Sequence, residues 1–431
     1  MSALPPEVIA RIIPEAVDLL RLHTAFPDKY PALLASASGA VNGHRYDCLF
    51  AGLIPVSLSV LDALDVSVTQ SVSDFPFIGG YVCFFPYEYA AQVEPSLSLP
   101  VQVGLDAQVW RVSAAFIWDH QTHTLSAVAQ PEYHDWLEQL WQDWDSLPSS
   151  DIKAKRSVNA LVSEAPEQGF LDGVERCKDY ILSGDVFQVN LSRQWQAQID
   201  TLVTPADIFA QLRVTNPAPF SALLAWESQA VISSSPERLV RVQQGRVDTR
   251  PIAGTRRRGD DAQADNALIE ELRAHPKENA EHIMLLDLER NDLGRVCVPG
   301  SVRVDELMSV ESYTHVHHIV SNVCGQLKAG ITAKQVIDAV FPGGTITGCP
   351  KVRCMEIIAE LERTPRGVYT GSLGYVSLDG QMDLNILIRS FYWEAGVLTF
   401  RAGAGIVYDS VAQAELEETR HKAKGLLRAL G

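Results

Sequence analysis

No stretch of this 431-residue chain approaches the roughly 18 to 20 consecutive apolar residues that a bilayer-spanning helix needs, so such a helix is not expected. The N-terminal MSALPPEVIARIIPEAVDLL opens with prolines and carries acids through its apolar part, unlike a secretory leader with its basic then apolar regions. The chain therefore reads as cytoplasmic. Cysteine is sparse and unpatterned: seven thiols, at 48, 83, 177, 297, 324, 349 and 354, form no CxxC pair and argue against a disulfide framework or a zinc site. Reduced, mostly buried thiols are expected. Positive charge is also short, with 36 Lys and Arg against 53 Asp and Glu and a net charge of −17, which argues against nucleic acid or an anionic membrane as partner. A small anion can still bind where cations are concentrated. One such place is DTRPIAGTRRRGD, residues 248 to 260, with four arginines around Ile252, Ala253 and Gly254.

What is present is ordinary for a soluble globular enzyme: 46% apolar and 21% charged residues, with no internal repeat at the usual periods. A polar, proline-bearing, aperiodic stretch near 146 to 168 reads as a linker or long surface loop and divides the chain into regions 1–155 and 156–431. The two regions are expected to pack as one globular unit. Upstream, FPFIGGYVCFFPYEYAAQ and VWRVSAAFIWD suggest strands; downstream, helical and strand patterns intermix. FLDGVERCKDYILSG places Val174, Cys177 and Ile181 on one helical face and ends at Gly184, a C-terminal cap signal. VFQVNLSRQ alternates, with Gln188, Asn190 and Ser192 on a face that solvent exposure would explain. LNILIRSFYWEAGVLTFRAGAGIVYD reads as two strands joined through Glu394, Ala395 and Gly396.

Several patterns carry potential chemistry. Glu278 and Glu281 are three apart on one predicted helix, and Glu415 and Glu418 repeat the spacing on another, so each pair shares a face. Two such pairs are either solvated surfaces or the oxygen ligands of one hard cation, for which Mg²⁺ is best suited. FPGGTITGCPKVRCMEIIAELE combines Gly343, Gly344 and Gly348 with a helix opening at Pro350, whose apolar stripe is Val352, Met355, Ile358 and Leu361. The turn either is structural or offers N–H groups and the Thr345 and Thr347 hydroxyls to an anion. RAGAG, 401 to 405, ends a strand with N–H groups suited to a carboxylate, or marks a bulge. In HVHHIVSNV, alternation separates His315 and His317 from His318.

Taken in order, PIAGT, EHIMLLDLERNDLGRV, HHIVS, GGTITGCPKVRCMEII, NILIRS and AGAGIVYDS followed by ELEETRHKA resemble the motifs of chorismate-utilising enzymes. The resemblance covers about residues 165 to 431, and more loosely the N-terminal part through YPALLASAS and FIGGYVCFFPYEY. It implies an α+β fold of layered antiparallel β-sheets with helices packed outside, acting on chorismate with Mg²⁺. By motif, Glu281 and Glu418 would bind the metal, with Glu278 and Glu415 supporting through its waters. Tyr369 and Arg389 would meet the enolpyruvyl carboxylate, near the amides of Gly403, Ala404 and Gly405. His318 would serve as acid beside the departing C4 hydroxyl, Thr345 would hold the substrate, Ala253 and Gly254 would lie beside the ring, and Lys422 would fill the slot of the family's C-terminal lysine.

Family members that add water are expected to carry a lysine base where this chain has Gln188, which accepts no proton at neutral pH, so the resemblance implies amination. FQVNLS, FPGGTITG and NILIRS resemble the aminodeoxychorismate synthase component I branch, which aminates C4. PIAGT points instead to anthranilate synthase component I, because many members of the first branch resemble PIKGT, with a lysine that attacks ring carbon C2. Three motifs against one favour the first branch. No glutaminase-type elbow around a cysteine is found, so ammonia is expected from a separate glutamine amidotransferase subunit or from free ammonium. LLAS, Leu33 to Ser36, resembles an element lining a tryptophan pocket in regulated anthranilate synthases, with Ala35 in place of its glutamate.

Overall fold

The computed structural model describes residues 5–36, 45–70, 73–148, 158–259, 261–274, 276–313 and 316–431, apart from the side chains of 253 and 276–278. Among these residues the strands form two sheets in which every pairing is antiparallel, one of twelve strands and one of ten. The larger runs from Glu7–Ile12 through Ala114–Asp119, Tyr46–Ala51, Phe220–Trp226, Gln229–Ser235, Ser390–Glu394 and Val397–Ile406 to Gln188–Gln198. The smaller runs from Ile252–Arg257 and Val316–Gln326 through Arg238–Gln243, Met382–Asn385 and Ser372–Ser377 to Gly80–Phe85 and Ile54–Val56. Both sheets thus draw strands from either side of residues 149–157.

Apolar residues from the facing strands of both sheets, including Phe50, Phe84, Val231 and Tyr392, form one core between them. The outer faces are covered by helices. Helix Ala412–Ala429 and helix Pro205–Thr215, with its Thr204 and Asp207 capping box, pack with Asp135–Ser146 on the larger sheet around Phe116, Trp141 and Phe209. Helices Pro276–Val296 and Ala333–Val340 cover the smaller sheet through Leu286, Leu293, Val336 and Ile337. Each fully buried side chain of this size is worth about 1.5–3 kcal/mol in transfer from water, so these layers fix the sheets against each other. The structure has the expected α+β architecture.

Several local expectations are met in detail. The helix Glu167–Leu182 buries Val174 and Cys177, and Gly184 follows at φ +81°. The hairpin turns at Ala395 and Gly396, both at positive φ, which suits a tight two-residue turn between strands. Helix Lys351–Glu362 begins after Pro350.

Two expectations change. The run LNILIRSFYWE is not one strand: Met382–Asn385 belongs to the smaller sheet and Ser390–Glu394 to the larger, and the chain crosses between sheets over Ile386 to Arg389. Gln188, Asn190 and Ser192 are buried, because their face of the strand is turned toward helix Lys351–Glu362 and the GGTITG turn rather than toward water.

Candidate active site

The cleft is built around two such crossings. One carries Arg389, with φ +51°, a left-handed backbone that throws its side chain out of the strand direction. The other joins Gln229–Ser235 to Arg238–Gln243 and carries Glu237. The crossings are strapped together: Ser234 N donates to Arg389 O at 3.2 Å, and Ile386 N donates to Glu237 O at 3.0 Å. Among the described residues the Arg389 guanidinium has no hydrogen bond or ion-pair partner, although burial and the nearby Glu237 both act on it. Burial is the larger effect and depresses its pKa, while the Glu237 carboxyl acts the other way.

Glu237 was not signalled by any motif. Its carboxyl accepts from Thr345 Oγ1 at 2.8 Å and from Ile252 N at 3.4 Å, and burial pushes its pKa up to about 7. Near neutral pH its protonated form is therefore accessible. The one sequence signal was Pro236-Glu237 interrupting a long apolar and serine-rich strand run, where proline cannot continue a ladder.

His318 and Thr345 reach the same place. On strand Val316–Gln326, His318 pairs in register with Thr255 of Ile252–Arg257, and its Nδ1 lies 2.8 Å from Thr255 Oγ1. Burial first, then Arg389 and His317, press its pKa down to about 3. Burial thus favours the neutral form of the His318 ring in this cleft, and the Glu237 carboxyl stands as a second proton-bearing group beside it. His317 turns the other way, to Asp265 at 2.8 Å and Ser312 at 2.8 Å, while His315 lies outside the described residues. Ala253 and Gly254 lie on the strand between Ile252 and Thr255 with a register shift, so their backbone borders the cleft. The arginine run is engaged elsewhere: Arg250 with Glu306 and Glu311, Arg256 with Glu271, Arg258 with Asp265. The basic stretch is thus a set of salt bridges.

The second wall is the pairing of Gln188–Gln198 with Val397–Ile406, where Asn190 faces Gly405 and Ser192 faces Gly403. Asn190 N donates to Thr347 O and Ser192 N to Glu362, so these are the pairs that exchange no ladder bonds. The Gly403 and Gly405 N–H groups accordingly point to the strand's other edge, as the nest expectation requires. Glycine is needed at 403, where a Cβ would stand 2.6 Å from Tyr369 Oη and 2.8 Å from Leu191 O; at 405 a Cβ would stand 2.4 Å from the end of the Gln188 side chain. Gln188 Oε1 is buried without a hydrogen-bond partner. Ala404 points away into the apolar cluster with Val189, Leu191 and Cys354, so any contribution to a ligand comes from its backbone.

Lys422 Nζ donates to Gly403 O at 3.0 Å and pairs with Glu418 at 2.7 Å. Glu281, on helix Pro276–Val296, shares a depression with Val407, Tyr408 and Asp409, the turn that leads into the helix of Glu415 and Glu418. Among the described residues no three His, Cys, Asp or Glu stand close enough to hold a metal ion, and the Glu278 side chain lies outside them. Glu281, Glu415 and Glu418 each offer the hard carboxylate oxygens that suit Mg²⁺, and Glu418 is paired with the Lys422 ammonium, but the three are not gathered into one ligand set here.

Residues 54–428 match the family model for chorismate binding enzymes. The aminodeoxychorismate synthase component 1 of Bacillus subtilis (strain 168) is 44% identical over 375 residues, covering 84% of this chain and 79% of that protein. The anthranilate synthase component 1 of Aquifex aeolicus (strain VF5) is 40% identical over 371 residues, covering 82% and 74%. The crystal structure of anthranilate synthase component I from Streptococcus pneumoniae TIGR4 superposes with a TM-score of 0.77 at 31% identity, over 98% of this chain and 92% of that one. With the cleft in place and the match running through most of the sequence, the chain belongs to the chorismate-binding enzymes.

Proposed function

We propose that the protein is an aminodeoxychorismate synthase component I, replacing the C4 hydroxyl of chorismate by an amino group, with ammonia from a glutamine amidotransferase partner. The observation that carries this reading is the half-buried Arg389 cation, with no hydrogen-bond or ion-pair partner among the described residues, set beside the Glu237 carboxyl that burial raises to about 7. Chorismate is a dianion with a hydroxyl to lose, and the cleft offers one fixed cation and one proton donor. Arg389, Tyr369 and the Gly403 and Gly405 amides bind the enolpyruvyl carboxylate, where charge-assisted hydrogen bonds are strongest.

Glu237, oriented by Thr345, gives its proton to the departing hydroxyl, which leaves as water. Neutral His318, oriented by Thr255, lines the ring without adding charge. Gln188 fills the position from which a base would activate water and has no capacity to accept a proton, so ammonia is the nucleophile. Mg²⁺, held by Glu281 and Glu418 with Glu278 and Glu415 supporting, would neutralise the ring carboxylate and the charge that develops as the hydroxyl leaves. Lys422 would then give up its contact with Glu418.

Ala253 favours a second reading. Without a lysine in PIAGT no covalent adduct at C2 can form there, and amination at C2 to give anthranilate is the alternative. The comparable identities to both kinds of relative suit either branch. Amination itself is tested by chorismate consumption: turnover should require Mg²⁺ and ammonium together. Conversion to isochorismate without ammonium would contradict it.

A further inference from the structure

The cleft carboxyl has a buried neighbour for which the reaction as described has no use. Glu289 and Asp292 lie three apart on helix Pro276–Val296, 6% and 1% exposed. The turn that holds Glu237 also packs against Glu289: Thr345 Oγ1 donates to Glu237 at 2.8 Å, and Gly344, the residue before it, lies against the Glu289 carboxyl. A Cβ on Gly344 would come within 3.3 Å of Glu289 Oε1, so the carboxyl rests directly against this glycine. Beyond it, Asp292 Oδ2 accepts from Lys351 Nζ at 2.5 Å, Lys351 also donates to Val340 O at 3.1 Å, and Asp292 Oδ1 is buried without a hydrogen-bond partner. Arg295, at 3.7 Å from Asp292, and Lys351 line a depression open to solvent. No arginine or lysine among the described residues pairs with Glu289 itself.

The geometry points to Glu289 as a positioning residue for the proton: its carboxyl, packed against Gly344 beside the Thr345 that holds Glu237, keeps Glu237 in the acid form. This rests on the proposed function, in which Glu237 is the acid. Two carboxyls in one water-poor site do not both ionise cheaply, so the pair retains a proton where an isolated carboxyl would have lost it. Burial raises both groups, the Glu289 charge raises Glu237, and the Asp292 charge raises Glu289 against the pull of Lys351. Arg389 opposes this by favouring ionised Glu237, until a substrate carboxylate takes up its charge. On turnover the Glu237 O–H bond and the substrate C4–O bond break, ammonia forms the new C4–N bond, the hydroxyl leaves as water, and the resulting ammonium gives up a proton to solvent. Glu237 regains its proton from solvent before the next cycle.

The test is the pH profile of kcat for wild type and Glu289→Gln, which keeps shape and removes the charge. The alkaline limb of the variant should move down by about one pH unit, with the acid-side rate within about threefold of wild type. Glu289→Asp should restore the limb. An unmoved limb overturns the inference while leaving the proposed function standing. A wild-type protein that turns over no chorismate overturns the proposed function instead, and infrared titration then decides the carboxyl pair by itself. A carboxyl C=O band titrating near pH 7, lost in Glu237→Gln and shifted in Glu289→Gln, supports the pairing; a band unchanged in Glu289→Gln overturns it.

Discussion

Glu237 and Arg389 stand on neighbouring crossings between the two sheets, and backbone hydrogen bonds through Ser234 and Ile386 fix one relative to the other. These two charged side chains of the cleft are therefore set by the sheet crossings rather than by a long surface loop. Glu237→Gln keeps the Thr345 contact and removes the proton. The rate should fall by about 10²–10⁴-fold with chorismate affinity retained, and circular dichroism should show a native fold. In the wild type, kcat should decline as pH rises through about 7, because the acid must be protonated to act. A variant retaining near-wild-type kcat would remove Glu237 from the chemistry.

Arg389→Ala should act on binding. Losing a charge-assisted hydrogen bond costs about 1.5–3 kcal/mol, which is on the order of 10- to 150-fold in Kd for chorismate, measured by isothermal titration. Arg389→Lys should recover only part of this, because an ammonium lacks the planar fork that meets a carboxylate. Equal affinity in Arg389→Ala and wild type would place the carboxylate elsewhere.

The glycines predict a separable pair of effects. Gly403→Ala pushes a methyl against Tyr369 Oη and the Leu191 carbonyl, and should cost about 1–3 kcal/mol of stability in denaturant titration. Gly405→Ala meets the flexible Gln188 amide, so the side chain can yield and stability should change less. Turnover should nevertheless fall, and Gln188→Ala should relieve the clash in the double variant.

Much of this was legible in the sequence. The ExxE helices, the glycine-rich turn before Pro350, the hairpin at Ala395 and Gly396 and the His318 strand follow from spacing and turn chemistry alone. The two crossings were not. LNILIRSFYW alternates like one strand, and a left-handed Arg389 leaves no mark in residue type, so the sheet switch depends on tertiary pairing. Glu237 was missed for the same reason, and the polar face of Gln188 to Ser192 read as solvated because its cover comes from residues 150 positions away or more.

Two buried histidines contribute to the acid side of the stability curve. Burial lowers His282 to about 4, beside Ser321, and His318 to about 3. Both lie below the unfolded value, so the unfolded chain binds protons that the folded chain refuses. Their contribution is present in full above about pH 6.5 and is lost as pH falls toward 4, at about 1.4 kcal/mol per pH unit for each group. Thermal denaturation should show Tm dropping over that interval. His282→Gln should flatten the drop, and an unchanged slope would contradict the assignment.

The most direct test of the account is the identity of the product. Purified protein incubated with chorismate, Mg²⁺ and ammonium should yield 4-amino-4-deoxychorismate with no pyruvate released. Anthranilate formed with stoichiometric pyruvate would contradict the C4 assignment and make Ala253 the residue that tells the branches apart.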